Sequence, residues 1–220
     1  MNKSTKSCTI IGGADGPTSV FIVGNNKKFG MRELKHKIRN WCYQRRREKI
    51  KAEITANPHS IDEVIEYMQT KYNALELAEN SKRFQSQRKY CKEALVQKYQ
   101  PELIGESLEI ARPDMEDEQS VKDFLKRVED LQEKAASVAE ELFPMDYHLY
   151  HIKLENLGDI YFEVERNHAY FSATSSEAVN GKLKNVQRVV KDIYQYYGVS
   201  ESDIAENSER YLHLIAVMTD

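Results

Sequence analysis

No run in these 220 residues approaches the ~20 consecutive apolar positions that a bilayer-crossing helix needs. With 40% hydrophobic residues and a mean hydropathy of −0.67, a polytopic membrane protein is excluded. Cysteine is scarce. Cys8, Cys42 and Cys91 are odd in number and widely spaced, with no CxxC pair, which excludes a disulfide-stapled miniprotein and a cysteine zinc site. Free, buried thiols in a reducing compartment are the expectation. Proline (5) and glycine (9) are few, and neither an internal repeat nor a low-complexity stretch is present. The N-terminus carries Lys3 and Lys6, but its apolar run is only Thr9–Ile11 before Gly12 and Gly13, too short for the core of a signal peptide. A cytoplasmic location is therefore expected. Also missing is any complete catalytic set: no nucleophile–base arrangement, no metal-ligand cluster and no cofactor signature, so neither catalysis, a metal nor a cofactor is expected.

What is present is charge (30%) and aromatic bulk, including 13 tyrosines, a composition that folds. The formal net charge of −3 hides a division. Residues 1–101 carry 20 Lys and Arg against ten Asp and Glu, whereas residues 102–220 carry 12 against 25. Either the basic half meets an anionic partner or the two halves neutralise each other, within one chain or between subunits.

Periodicity then supplies the elements. Cys8–Ile11 and Val20–Val23 are β-rich runs flanking a glycine loop, which predicts an N-terminal hairpin. Met31, Leu34, Ile38 and Trp41 recur at helical spacing, predicting a helix whose seam faces inward before Arg45-Arg46-Arg47. Ser60-Ile61-Asp62-Glu63 matches a capping box and opens a second helix with the seam Ile61, Val64, Ile65, Met68, Tyr72 and Leu75. A third runs from about Ala78 to Tyr99, stopped by Pro101. Gly105–Gln119, with six acids and Pro113, is an acidic linker. From Glu118 to Phe143 an unbroken 3,4 pattern (Val121, Phe124, Val128, Leu131, Ala135, Val138, Leu142) predicts the longest well-formed helix, suited to packing on another helix. The period then changes to two: Tyr147–Leu154, Ile160–Glu165 and Ala169–Ala173 are expected as an antiparallel meander. A helix over 176–197 ends at Gly198, Ser200-Glu201-Ser202-Asp203 caps a short turn, and the apolar run Tyr211–Met218 is expected as a central strand. The fold class is thus α+β: an N-terminal β-hairpin, a helical middle region and a C-terminal βββαβ unit. The corresponding division is a glycine-loop hairpin (1–30), a basic helical region (31–104), an acidic linker (105–119) and a long helix with the α+β module (120–220).

The most distinctive segment is Ile10-Ile11-Gly12-Gly13-Ala14-Asp15-Gly16-Pro17-Thr18-Ser19-Val20-Phe21-Ile22. It resembles the GGADGPTS signature of the beta subunit of sodium-pumping, biotin-dependent decarboxylases, membrane subunits that couple decarboxylation of a biotin carrier to sodium export. The resemblance implies a role for Asp15 in sodium passage and makes a relative or accessory of such a subunit one functional alternative. It covers these residues alone, and the remainder lacks the apolar spans on which ion transport depends. On physical grounds Gly12, Gly13 and Gly16 allow positive φ, Asp15 bonds backbone amides, and Pro17 fixes the exit towards Thr18 and Ser19. The expectation is a rigid inter-strand turn, with an ion or ligand loop as the alternative.

The second feature is the basic segment Lys27–Lys51, with eleven Lys and Arg against Glu33 and Glu48, interleaved with Trp41 and Tyr43. Lys35, Lys37, Arg39, Arg45, Arg46, Arg47 and Lys49 are its candidate anion-binding residues, for nucleic acid or, less in keeping with the sequence, an anionic membrane surface. The structural alternative is a solvated face whose arginines meet the acidic half. His148 and His151 stand three apart in an expected strand and so point to opposite faces, away from a shared metal. The leading functional expectation is a non-enzymatic protein acting by association with a protein partner or with itself through the 118–143 helix. Nucleic-acid binding through the basic helix is the alternative.

Overall fold

A computed structural model describes residues 8–10, 20–22, 31–105, 113–155, 158–175 and 183–219; at 8–10, 20–22, 31–36 and 183 the backbone alone is described. In chain order the elements are β1 (Cys8–Ile10), β2 (Val20–Ile22), α1 (Met31–Glu53), α2 (Ile61–Tyr72), β3 (Leu75–Glu76), α3 (Lys82–Tyr99), a 3-10 turn (Pro101–Ile104), α4 (Glu118–Ser137), β4 (Tyr147–Leu154), β5 (Gly158–Glu165), β6 (Tyr170–Ser175), α5 (Leu183–Tyr197), α6 (Glu201–Glu206) and α7 (Glu209–Thr219). The architecture is α+β. It divides into two compact units, one of Met1–Lys28 with Glu79–Asp146 and the other of Phe29–Ala78 with Tyr147–Asp220, so each draws on two separate stretches of chain.

The second unit is built on an antiparallel sheet of order β3-β4-β5-β6. Register pairs Tyr150 with Phe162 and Phe162 with Ala173, and alternation then sends Tyr150, Ile152, Ile160, Phe162, Val164 and Phe171 to one face. There they form one core with Val64, Ile65 and Met68 of α2, Val186, Ile193, Tyr194 and Tyr197 of α5, and Tyr211, Leu214 and Ile215 of α7. Tyr150, Tyr194, Tyr197 and Tyr211 are thus core residues rather than surface. The meander agrees with the period-two pattern. His148 and His151 do face opposite ways: His148 pairs with Glu76 (2.6 Å), and His151 pairs with Asp159 (2.8 Å) and stacks on Tyr161.

Three expectations are corrected here. Tyr211–Met218 is helix, not strand. Its buried positions Tyr211, Leu214 and Ile215 follow helical spacing while Ala216 and Leu212 are exposed, and the Ser208 hydroxyl accepts from the Tyr211 amide at the start. The C-terminal unit is therefore βββα followed by helices. The second helix stops at Tyr72, because Asn73 adopts a left-handed φ of 52° and donates its amide back to Met68. Leu75, expected in that helix's seam, lies in β3 instead and is exposed.

Local signals hold elsewhere. Ser60 forms the expected capping box with Glu63, and Ser200 forms another with Asp203. Gly198 ends α5 with φ 57°. The third helix begins at Lys82 under an Ser81 cap and buries Phe84, Cys91 and Leu95. The β1–β2 pair is antiparallel, as expected, and makes its own two-stranded sheet.

In the first unit α3 packs on α4. The expected 118–143 helix is shorter, ending at Ser137. Lys92, buried on α3, donates to the Val138 carbonyl at that end and to Glu140 (3.0 Å), while Arg88 donates to the second Glu140 oxygen (2.7 Å). Burial alone would raise the Glu140 carboxyl, but the bonds from Arg88 and Lys92 prevail and hold it below its ordinary value. A cation at a helix C-terminus also satisfies orphan carbonyls that solvent would otherwise meet. Leu142, placed in the apolar stripe by its spacing, is exposed beyond the helix end.

Candidate functional site

Two places concentrate functional side chains, both in the second unit. The first lies between α2 and α5. Asp192 Oδ2 accepts from Tyr67 (2.6 Å), Tyr72 (2.7 Å) and Lys71 (2.8 Å), and Lys71 also donates to the Tyr67 hydroxyl. Tyr67 stacks on Tyr196 with centroids 3.9 Å apart, and Tyr196 stacks on His59 at 4.0 Å. Burial would raise the Asp192 carboxyl, but the three donors outweigh it and hold the group below the usual carboxylate range. Burial first, then the bond to Asp192, push Tyr72 up to about 12, and the same causes raise Tyr67. Lys71 is raised by its bonds to Asp192 and Tyr67. At neutral pH the tyrosines are therefore donors and Asp192 Oδ2 accepts all three bonds, so the cluster clamps two helices. Lys71 and Tyr67 are one turn apart in the sequence, but nothing local connects them with Asp192, some 120 residues on.

Beside it, Arg210 of α7 donates to the carbonyls of Gly198, Tyr197 and His59 and lies 3.7 Å from the Tyr197 ring centroid. Asn57 donates its amide to Val199 O (2.9 Å) and His59 to Tyr197 O (3.1 Å), so the connection from α1 to α2 is laced to the end of α5. That lacing fixes where α1 leaves the body of the unit.

The second place is α1 itself, 23 residues and about 34 Å long. The spacing analysis expected Ile38 and Trp41 to pack inward. They do not: Ile38 is 52% exposed and Trp41 60%. The helix packs on α7, and its half-buried positions are Arg47, Ile50 and Lys51 near its C-terminal end, with Ile50 on the opposite side from Trp41. Lys37, Arg39, Arg45, Arg46 and Lys49 are exposed, and of Lys35 the backbone alone is described. The pairs Lys49–Glu53 and Lys51–Glu48 both lie within the helix. Among the described residues no carboxylate pairs with Arg39, Arg45, Arg46 or Arg47. The Arg45 guanidinium instead sits 5.3 Å from the Trp41 ring centroid. Cys42 is exposed, against the expectation of buried thiols, whereas Cys91 is buried.

Gly12, Gly13, Asp15, Gly16, Pro17, Thr18 and Ser19 lie outside the described residues. No group of three or more His, Cys, Asp or Glu is placed to hold a metal ion among the described residues, and no described helix is long and apolar enough to cross a membrane. Comparison with protein-family models, curated proteins and solved structures finds no match for the chain.

Proposed function

We propose that the protein is a non-enzymatic nucleic-acid-binding protein in which α1 meets the phosphates. One observation carries this: Arg39, Arg45 and Arg46 stand exposed on α1 without a carboxylate partner among the described residues. Like charges gathered within two turns repel one another, and a polyanion relieves that repulsion while releasing its own condensed counterions. A guanidinium suits this task, since its planar fork engages two phosphate oxygens at once. The exposed Cys42 thiol accords with a reducing, cytoplasmic setting.

Self-association is the competing reading, because residues 102–220 carry 25 acids against 12 bases. Its expected interface, however, is the α4 seam, where Leu131 and Ala135 are buried and Val121, Phe124 and Val128 half-buried in their own chain.

The test is binding of random single- and double-stranded oligonucleotides across a salt series. Three phosphates neutralised by Arg39, Arg45 and Arg46 predict a slope of log affinity against log salt of roughly −2 to −3. Charge reversal of Arg45, Arg46 and Arg47 to Glu should abolish retention. No binding at about 50 mM salt, or no effect of the reversal, removes the proposal.

A further inference from the structure

Resting on that reading of α1, we propose that Trp41 is a stacking platform that makes the helix select single-stranded over duplex nucleic acid. Trp41 is the protein's one tryptophan. The indole is left 60% exposed, whereas Phe84, Phe143, Phe162 and Phe171 are each 5% exposed or less; of the tyrosines, Tyr90 on α3 is 59% exposed but carries a hydroxyl that water can satisfy. Burial of an aromatic ring is favourable in proportion to its apolar area, so an exposed one is a free energy still to be gained from a partner.

The surroundings of the ring say which partner. Trp41 and Ile50 are nine residues, two and a half turns, apart, so the indole points away from the side that packs on α7. On the outward side Ile38 and Arg45 stand one turn before and after Trp41, with Lys49 a further turn on, whereas Arg39 and Arg46 lie on other sides of the helix. The apolar pair Ile38 and Trp41 is thus followed along one row by the cations Arg45 and Lys49, the arrangement in which a strand can lay its phosphates along the cations and a base against the ring. A duplex offers phosphates but keeps its base faces stacked on one another, so it gains nothing from the indole. Tyr43 lies two residues from Trp41 and therefore on a different side of the helix, so it does not extend the platform.

A single tryptophan makes the test direct. The full chain is titrated at about 50 mM salt with a labelled 20-nucleotide single strand and the matching duplex, reading probe anisotropy and tryptophan emission together. Stacking predicts emission quenching that saturates with binding of the single strand and is absent with the duplex. Trp41→Ala should weaken single-strand binding about ten- to a hundredfold and leave duplex binding unchanged, with Trp41→Phe between them. Circular dichroism on each variant verifies the fold. Equal affinity for strand and duplex without quenching overturns the platform and leaves the phosphate contacts of α1 standing. Absence of binding to either oligonucleotide removes both. Emission that shifts to the blue with vesicles containing about 30% phosphatidylserine, but does not respond to oligonucleotides, assigns the helix to an anionic bilayer and overturns both as well.

Discussion

At the scale of single residues, the sharpest constraint is Gly198. Its φ of 57° disfavours any side chain, and an added Cβ would lie 2.0 Å from the Asn57 carbonyl oxygen, a backbone atom that the lacing to Val199 holds in place. Gly198→Ala should cost about 2 kcal/mol or more, measured by urea denaturation. Asp192 carries the clearest pH dependence. Its carboxyl is depressed in the folded state, so its contribution is present above the ordinary value of 3.8 and is lost as pH falls through the lower folded value. Tyr72 works at the other end: raised from 10.0 to about 12, it stabilises below pH 10 and loses that contribution as pH rises towards 12. Asp192→Asn should lower the melting temperature at pH 7 and flatten the decline below pH 4, both read from melts across a pH series.

At the scale of elements, helix ends are set by local chemistry and helix faces by what they meet. In α2 the Ser60 hydroxyl accepts from the Glu63 amide (3.3 Å) and the Glu63 carboxylate accepts from the Ser60 amide (2.7 Å). Removing one partner leaves an orphan donor at the first turn, so Ser60→Ala should destabilise by about 1 kcal/mol in equilibrium unfolding, with the unfolding slope unchanged. The length of α4 has a different origin. Its 3,4 pattern continues past Ser137 in the sequence, but Lys92 reaches the Val138 carbonyl from α3 and Arg88 and Lys92 together hold Glu140, so the chain leaves the helix there. A contact from another element overrides a seam that would otherwise have run on.

At the scale of the whole molecule, the sequence isoelectric point near 6.1 and the net charge of −3 predict no affinity for polyanions. The local charge of α1 predicts the reverse, because screening at about 0.1 M salt confines electrostatics to roughly 10 Å and a partner meets the helix rather than the average. The protein should therefore be retained on a heparin column at low salt although it is acidic overall. Arg45, Arg46 and Arg47 changed together to Glu should elute at markedly lower salt, and equal elution of the two forms would show that another surface is engaged.

The α+β class, the capped starts of α2 and α6, the β4–β5–β6 meander and the stop at Gly198 were legible in the residues, because capping boxes, alternation and a positive-φ glycine act within a few positions of chain. The basic character of α1 was equally legible, as was the opposite orientation of His148 and His151. What tertiary structure decided is which side of each element is covered. Leu214 to Met218 is apolar enough for a buried strand or a buried helix, and packing Tyr211, Leu214 and Ile215 into the core selects helix, with Ser208 as the cap that a local reading passes over. Ile38 and Trp41 have the spacing of a core seam, yet α1, which packs on α7 and half-buries Arg47, Ile50 and Lys51, leaves them in solvent. Apolar periodicity states that a face can be buried; whether it is buried depends on a surface that the long-range packing of the chain supplies or withholds.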